Sequence, residues 1–313
     1  MDILYDVAPR DIRSALVKRG DEVEELAISY LPQHLKYTAS QVRSIVESYR
    51  RSEDTLMLQL ENLYELKNLI YYFSILSYLL SNNKKISEEL IKKYSTLFEQ
   101  ISGNFSARNI RNIIENLSEY ISGNSHINNI LKILDNIEKF GIYKWIVKQR
   151  RLDSFERAAR RVIFQGGSGS SINRGVKFFI RIFIHPSNIP LAYKISYNIN
   201  ELKKYKIYGD YYTTMVTLRS GAFEDVETPT AFKLRQRIAR RLLCEGRGGR
   251  CEGIRVRIKS VRGLVRAVAY LSGDPIKYER GAYDIGKNYC SKLKCDICPI
   301  NSICKKYTFI EIK

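Results

Sequence analysis

Apolar residues recur at helical spacing through most of the first 140 positions. Leu56, Leu60, Leu63, Leu66 and Leu69-Ile70 fall on one helical face, which continues through Phe73 and Leu76. The longest apolar run, Leu69 to Leu80, contains two serines and three tyrosines and is shorter than a membrane span, so it reads as a buried helix. Further helices are expected over Ser40 to Val46 with Ser40 as N-cap, over Ser87 to Ile91, over Ala107 to Ile121 and over Ile127 to Phe140. Turns at Asn82-Asn83, Gly103-Asn104 and Gly123-Asn124 separate them. Later in the chain the pattern predicts helices over Phe178 to Ile184, after Gly209-Asp210, and over Lys233 to Arg241. A short strand is expected from Ile254, where apolar residues alternate with Arg255 and Arg257. The expected fold class is mainly α.

Charge divides the chain. Of 52 Lys+Arg and 33 Asp+Glu, residues 1–150 hold 20 and 19, and residues 151–313 hold 32 and 14, a net of +18 out of +19. Solubility does not call for so uneven a split, whereas a polyanionic partner does. Nucleic acid, double-stranded DNA first, is the expected partner. A membrane is not, because no basic amphipathic helix with an aromatic or leucine face stands out. The acidic start MDILYDVAPRD lacks the basic region of a signal peptide, and the chain reads as soluble and cytoplasmic. Abundant Ile, Lys and Tyr suit a thermophile. Three regions are expected: an N-terminal helical region (1–140) serving as scaffold or protein-partner surface, a basic helical region (141–280) for nucleic-acid binding and chemistry, and a metal loop (281–313).

The metal loop carries the sharpest signal. Cys290, Cys295, Cys298 and Cys304 are spaced C-x4-C-x2-C-x5-C. Four soft thiolate ligands within fifteen residues suit one zinc ion or one iron–sulfur cluster. A single run of ligands, rather than two paired knuckles, favours the cluster. Lys292, Lys294, Lys305 and Lys306 are expected to lower the thiol pKa values and to offset the negative site. Cys244 and Cys251 read either as a disulfide or as free thiols. His34 and His126 stand alone and read as surface or capping residues.

Other stretches suit phosphates. Gln165 to Lys177 is glycine-rich, departs from the Walker A pattern, and leads into a helix near Arg174 and Lys177, as an anion-binding loop would. Trp145 and the cations from Lys148 to Arg161 can track a backbone. Lys203 and Lys204 lie among tyrosines that can stack on bases. Arg237, Arg240 and Arg241 lie in a strongly basic helix. Asp210 opens a helix, which by itself describes an ordinary N-cap.

The cysteine run resembles the cluster loop that closes the endonuclease III and adenine-glycosylase branch of the helix-hairpin-helix DNA glycosylases, where the pattern is C-x6-C-x2-C-x5-C. Cys295, Cys298, Pro299 and Cys304 fit it, and the first gap is two residues shorter. The lead-in Gly281-Ala-Tyr-Asp-Ile-Gly-Lys-Asn-Tyr-Cys290 resembles the helix that feeds the first ligand. The resemblance implies a two-lobed helical fold with a C-terminal [4Fe-4S] loop, zinc being the alternative. It implies Asp210 as the carboxylate that stabilises an oxocarbenium-like transition state, with Arg219 on the helix that follows. It implies Lys177 as a candidate Schiff-base nucleophile of a glycosylase and AP lyase, and base excision from flipped-out DNA. The alternatives are a non-catalytic, metal-stabilised DNA- or RNA-binding protein and a zinc-bearing subunit of a nucleic-acid-processing complex. Ala222 to Glu279 is longer than the corresponding family segment, so an insertion is expected there.

Overall fold

The structure, a computed structural model, describes residues 7–82, 88–101, 104–120, 125–164 and 174–313. It is mainly α-helical. In chain order the first thirteen helices are α1 (Pro9–Glu22), α2 (Leu26–Ser29), α3 (Gln33–Tyr49), α4 (Glu53–Glu61), α5 (Leu66–Asn82), α6 (Glu88–Ile101), α7 (Ala107–Asn116), α8 (Ser125–Phe140), α9 (Ile142–Val147), α10 (Leu152–Phe164), α11 (Arg174–Ile184), α12 (Tyr193–Ser196) and α13 (Ile199–Leu202). They are followed by α14 (Tyr211–Arg219), α15 (Pro229–Gly246), β1 (Ile254–Val256), α16 (Ile258–Leu271), α17 (Pro275–Asn288) and β2 (Ile310–Ile312). Among the described residues no helix is long and apolar enough to cross a membrane.

The chain forms two compact units that do not follow its linear order. Residues 25–204 make a central unit, and residues 1–24 join residues 205–313 in a terminal unit. The first helix therefore belongs with the cysteine region and not with the helices that follow it in sequence.

The central unit is built around α5, whose residues from Leu69 to Leu80 are all buried. Tyr72 packs its ring 5.0 Å from those of Tyr94 and Phe98, and Phe73 lies 5.8 Å from Phe183. Helix α11 lies directly on α5, since a Cβ at Gly175 would stand 2.0 Å from the Ser77 carbonyl oxygen. The long apolar face expected from Leu56 is interrupted between Glu61 and Leu66, giving α4 and α5. Ser40 is not an N-cap: Pro32 precedes a helix that already starts at Gln33, and Ser40 sits exposed in its middle.

The terminal unit is organised around α17. Asp274 caps it by accepting from the amides of Ile276 and Lys277 at 3.1 and 3.0 Å, and Pro275 occupies the first turn. One face of α17 meets α1 at backbone contact. A Cβ at Gly281 would lie 2.0 Å from the Leu16 carbonyl oxygen, and a Cβ at Gly20 would lie 1.9 Å from that of Lys277. Another face meets α14, where a Cβ at Gly286 would lie 2.7 Å from the Tyr212 carbonyl oxygen. The buried Tyr278 hydroxyl is 2.8 Å from Thr217 Oγ1 on α14. Ion pairs Arg13–Asp225 and Arg19–Asp284, at 2.6 and 2.8 Å, close the rim. Strands β1 and β2 pair in parallel, Ile254 opposite Ile310, so the residues after the cysteine run are tied back onto the body. The expected strand at Ile254 is present.

Gly281→Ala is expected to destabilise the protein by about 3 kcal/mol, the upper range for overpacking, because the obstructing atom belongs to backbone and cannot rotate away. Urea unfolding of the variant and the parent measures this; an unchanged midpoint would contradict the close α1–α17 crossing.

Candidate metal centre

The end of α17 delivers the first cysteine. The helix gives way to a tight turn over Cys290–Lys292, and Leu293 then takes a left-handed conformation (φ 53°). The Lys294 amide closes this turn on the Tyr289 carbonyl at 3.1 Å. A second turn follows, with the Cys298 amide bonded to Cys295 O and the Asn301 amide to Cys298 O. Lys306, just past the last cysteine, is also left-handed (φ 55°), and its amide lies 3.4 Å from Cys304 Sγ. Two non-glycine residues in this region cost on the order of 1–2 kcal/mol each. Between Tyr289 and Tyr307 only Ile300 is buried, so the loop has no apolar core of its own to hold that geometry.

What holds it is the end of α14. Arg219 donates through Nε to Ile310 O at 2.9 Å and through Nη1 to Cys290 O at 3.2 Å, and Nη1 lies 3.9 Å from Cys290 Sγ. The carbonyls of Ser220 and Arg219, left over at the end of the helix, accept the amides of Lys305 and Tyr307 at 3.1 and 2.8 Å. The loop therefore completes the C-terminus of α14 while Arg219 reaches both ends of the cysteine run.

All four cysteines of the run are free thiols, half-buried, and they line one small pocket of about 30 Å³ that opens to solvent. Val216, Ile285 and Ile300 supply its apolar wall and Lys306 its rim. Among the described residues no three His, Cys, Asp or Glu side chains converge closely enough to hold a single ion. The expected lowering of the thiol pKa values is overturned. Burial pushes the thiols of Cys290 and Cys298 above the ordinary range and that of Cys304 up to about 11, and Arg219 beside Cys290 and the Lys306 amide beside Cys304 only partly oppose it. The surrounding lysines are too solvated to outweigh desolvation.

Asp210 is the N-cap of α14, its Oδ1 accepting from the Thr213 amide at 2.8 Å. Asp210 and Arg219 thus stand at opposite ends of one nine-residue helix, about 13 Å apart along its axis. A residue that sequence patterns did not mark places Asp210. The carboxylate of Glu279, buried on α17, accepts the amides of Tyr208 and Gly209 at 2.9 and 3.1 Å, fixing the approach to the cap. Nothing in the sequence around Glu279 distinguishes it from a surface glutamate.

The other candidates lie elsewhere. Lys177 belongs to the central unit and Asp210 to the terminal one. Its ammonium is buried and paired with Glu156 at 2.6 Å. Burial raises the Glu156 carboxyl, but Lys177 and Arg160 more than offset this and leave it below the usual carboxylate range. Such a pair favours the charged amine, the opposite of what a nucleophile needs. Arg174 opens α11, and the glycine-rich stretch 165–173 before it lies outside the described residues. Lys203 follows α13, and Lys204 pairs with Glu201. Arg237 and Arg240 are exposed on α15, whereas Arg241 is half-buried between Glu245, at 2.8 Å, and the Phe309 ring. Cys244 and Cys251 form a disulfide. No family model, curated protein or solved structure matches the chain.

Arg219→Met is expected to loosen the cysteine run, since two carbonyls lose their donor at about 1.5–3 kcal/mol each; the check is a rise in protease sensitivity after Tyr289. Lys177→Met is expected to cost about 3 kcal/mol at pH 7, because Glu156 loses its buried partner and keeps only Arg160, also at 2.6 Å. The Glu156 pKa is depressed in the folded state, so the pair's contribution is present above the ordinary glutamate value of about 4 and fades as pH falls through the lowered value. The gap between parent and variant should begin to narrow below about pH 4 and close only below the lowered Glu156 value, followed by denaturant unfolding across pH; a constant gap would contradict the ion-pair role.

Proposed function

We propose that the chain is a nucleic-acid-binding iron–sulfur protein that excises a damaged base from DNA. The observation that carries this reading is the cavity ringed by Cys290, Cys295, Cys298 and Cys304. Four free thiols around one space supply the donor set of a [4Fe-4S] cluster. The four ligands follow one another in a single run, C-x4-C-x2-C-x5-C, rather than in two paired knuckles, which favours a cluster over a lone zinc ion. The raised thiol pKa values fit a site where metal, not a cation at the rim, displaces the protons. The cluster when bound supplies structural order, fixing a lysine-bearing loop that has no core.

The chemistry belongs to Asp210. Its carboxylate is oriented by the Thr213 amide, at the positive end of α14, on a segment held by Glu279. A carboxylate fixed in this way stabilises the positive charge that develops on a sugar when the bond to a flipped base breaks, and it can accept a proton from the attacking water. Water is the nucleophile in this reading, because Lys177 is committed to Glu156. Double-stranded DNA is the proposed substrate class, on the net charge of +18 in residues 151–313.

Protein purified without oxygen is expected to be brown and to contain about four irons per chain. The parent is expected to release a base from at least one duplex in a panel of damaged bases, and Asp210→Asn to lower that rate by about 10²-fold or more with DNA affinity retained. Colourless protein with one zinc would overturn the cluster; a parent protein inactive on the whole panel would overturn the enzyme.

A further inference from the structure

The terminal unit carries 26 Lys+Arg and 17 Asp+Glu. Residues 229–263 alone hold eleven of the former and two of the latter, a net of +9, so the rest of the unit is neutral at fifteen of each. This segment consists of α15, the loop 247–253, β1 and the start of α16. It contains neither the cysteine run nor Asp210, although Arg262 near its end stacks on the Tyr208 ring.

Helix α15 buries Ala231, Leu234 and Ile238 along one side. At 100° per residue, Lys233, Arg237 and Arg240 form a stripe opposite that side, and Cys244 continues it. The helix then ends on Gly248, left-handed at φ 69°, with the amides of Arg247 and Gly249 on Cys244 O and that of Gly248 on Glu245 O. The Cys244–Cys251 disulfide closes this turn, with 6.0 Å between the Cα atoms. It holds Arg247 and Arg250 on a short hairpin at the end of the stripe, and Arg257 follows on the far side of β1. All six cations are exposed. Among the described residues none of them lies within ion-pairing distance of a carboxylate. Arg237 also donates to the Arg255 carbonyl at 3.4 Å, which leaves its charge uncompensated, whereas Arg235 is held by the carbonyls of Glu224 and Val226, Arg241 by Glu245 and Arg255 by Glu311.

Successive cations on the stripe rise about 4.5–6 Å, well inside the Debye length of about 8–10 Å, so they repel one another in the free protein. The partner that relieves this is an array of anions equally dense. A nucleic-acid duplex offers one charge per about 1.7 Å of axis, and the arginine fork matches phosphate with two hydrogen bonds. An anionic membrane fits less well, because the large exposed apolar side chains of α15 are confined to its two ends, Phe232 at one and Leu242 with Leu243 about 15 Å away at the other, whereas the cations run between them.

We propose that the stripe of α15 and the disulfide-closed hairpin 244–251 form one phosphate-backbone surface, in which the disulfide presets Arg247 and Arg250. The inference rests on the reading of the chain as a DNA-binding protein, and it assigns that binding to residues outside the cysteine run. The disulfide lowers the ordering cost of the hairpin before DNA arrives.

The test is fluorescence anisotropy of a labelled undamaged duplex of about 25 base pairs, titrated with intact protein at salt from about 50 to 200 mM. Arg247→Gln/Arg250→Gln is expected to lower the magnitude of the log K against log salt slope by about 1.8, and Lys233→Gln/Arg237→Gln/Arg240→Gln by about 2.7. Cys244→Ser/Cys251→Ser, or reductant on the parent, should weaken binding several-fold with little change in slope. Every substituted side chain except the cysteines is exposed, so far-ultraviolet circular dichroism should be unchanged. Unchanged slopes in both cation variants would overturn the proposal, as would tighter binding to phosphatidylserine vesicles than to the duplex. The readout is separate from the cluster and from excision. Brown, active protein with unaltered slopes would sink this inference alone, and colourless protein whose slope still falls by about 1.8 would sink the cluster reading alone.

Discussion

The terminal unit depends on two helices from opposite ends of the chain meeting at their backbones. Gly20 on α1 and Gly281 on α17 each leave room for a carbonyl oxygen of the other helix. With any side chain there, the axes would have to part. That would shift α17 relative to α14, which it meets at Gly286, and carry Cys290 away from Arg219. The crossing thus sets where the cysteine run begins. It also sets where Glu279 reaches the amides before Asp210, because both residues are held by the same helix.

A chain of supports follows from that crossing. Helix α17 holds Glu279, Glu279 holds the segment before α14, and α14 carries Asp210 at one end and Arg219 at the other. The loop after Cys290 then uses the last carbonyls of α14 for its own amides. The candidate carboxylate and the candidate metal loop are coupled by two routes, directly along α14 and through α17 by way of Glu279. Residues in left-handed conformations, Leu293 and Lys306, mark where the loop is bent against its own preference and where an added ligand would do most to keep it in shape.

Local patterns in the sequence carried much of this. Helical periodicity located most helices, the alternation at Ile254 located β1, and the cysteine spacing located a run that the fold gathers around one cavity. Asp210 was legible as a cap because an N-cap is a property of four consecutive residues. Long-range facts were not legible. The joining of residues 1–24 with 205–313 rests on two glycines 261 positions apart, each unremarkable in its own neighbourhood. The pairing of Lys177 with Glu156 gives a buried ion pair where proximity to glycines suggested a reactive amine. The thiol pKa values were misjudged because nearby lysines are visible in a sequence and burial is not. Ser40 was misread because a serine within a helical pattern looks the same whether it starts the helix or sits halfway along.

The arginines of the terminal unit show how to separate charge that builds a fold from charge that faces outward. Arg219, Arg235, Arg266 and Arg280 all donate to backbone carbonyls, at Ile310, Glu224, Ile207 and Val23 among others. Arg13 and Arg19 pair with aspartates. Each of these has a partner whose loss would leave a half-buried polar group unmet. Composition alone counts them with the exposed Arg240, Arg247 and Arg250, which repel one another in the free protein, and with Arg237, which adds to that repulsion while donating to the Arg255 carbonyl at 3.4 Å. Mobile counter-ions screen such charge in the free protein, and under the DNA-binding reading proposed above its location, more than net charge, indicates where a phosphate backbone would lie. In the terminal unit that location is the exposed side of α15 and the disulfide-closed turn that follows it.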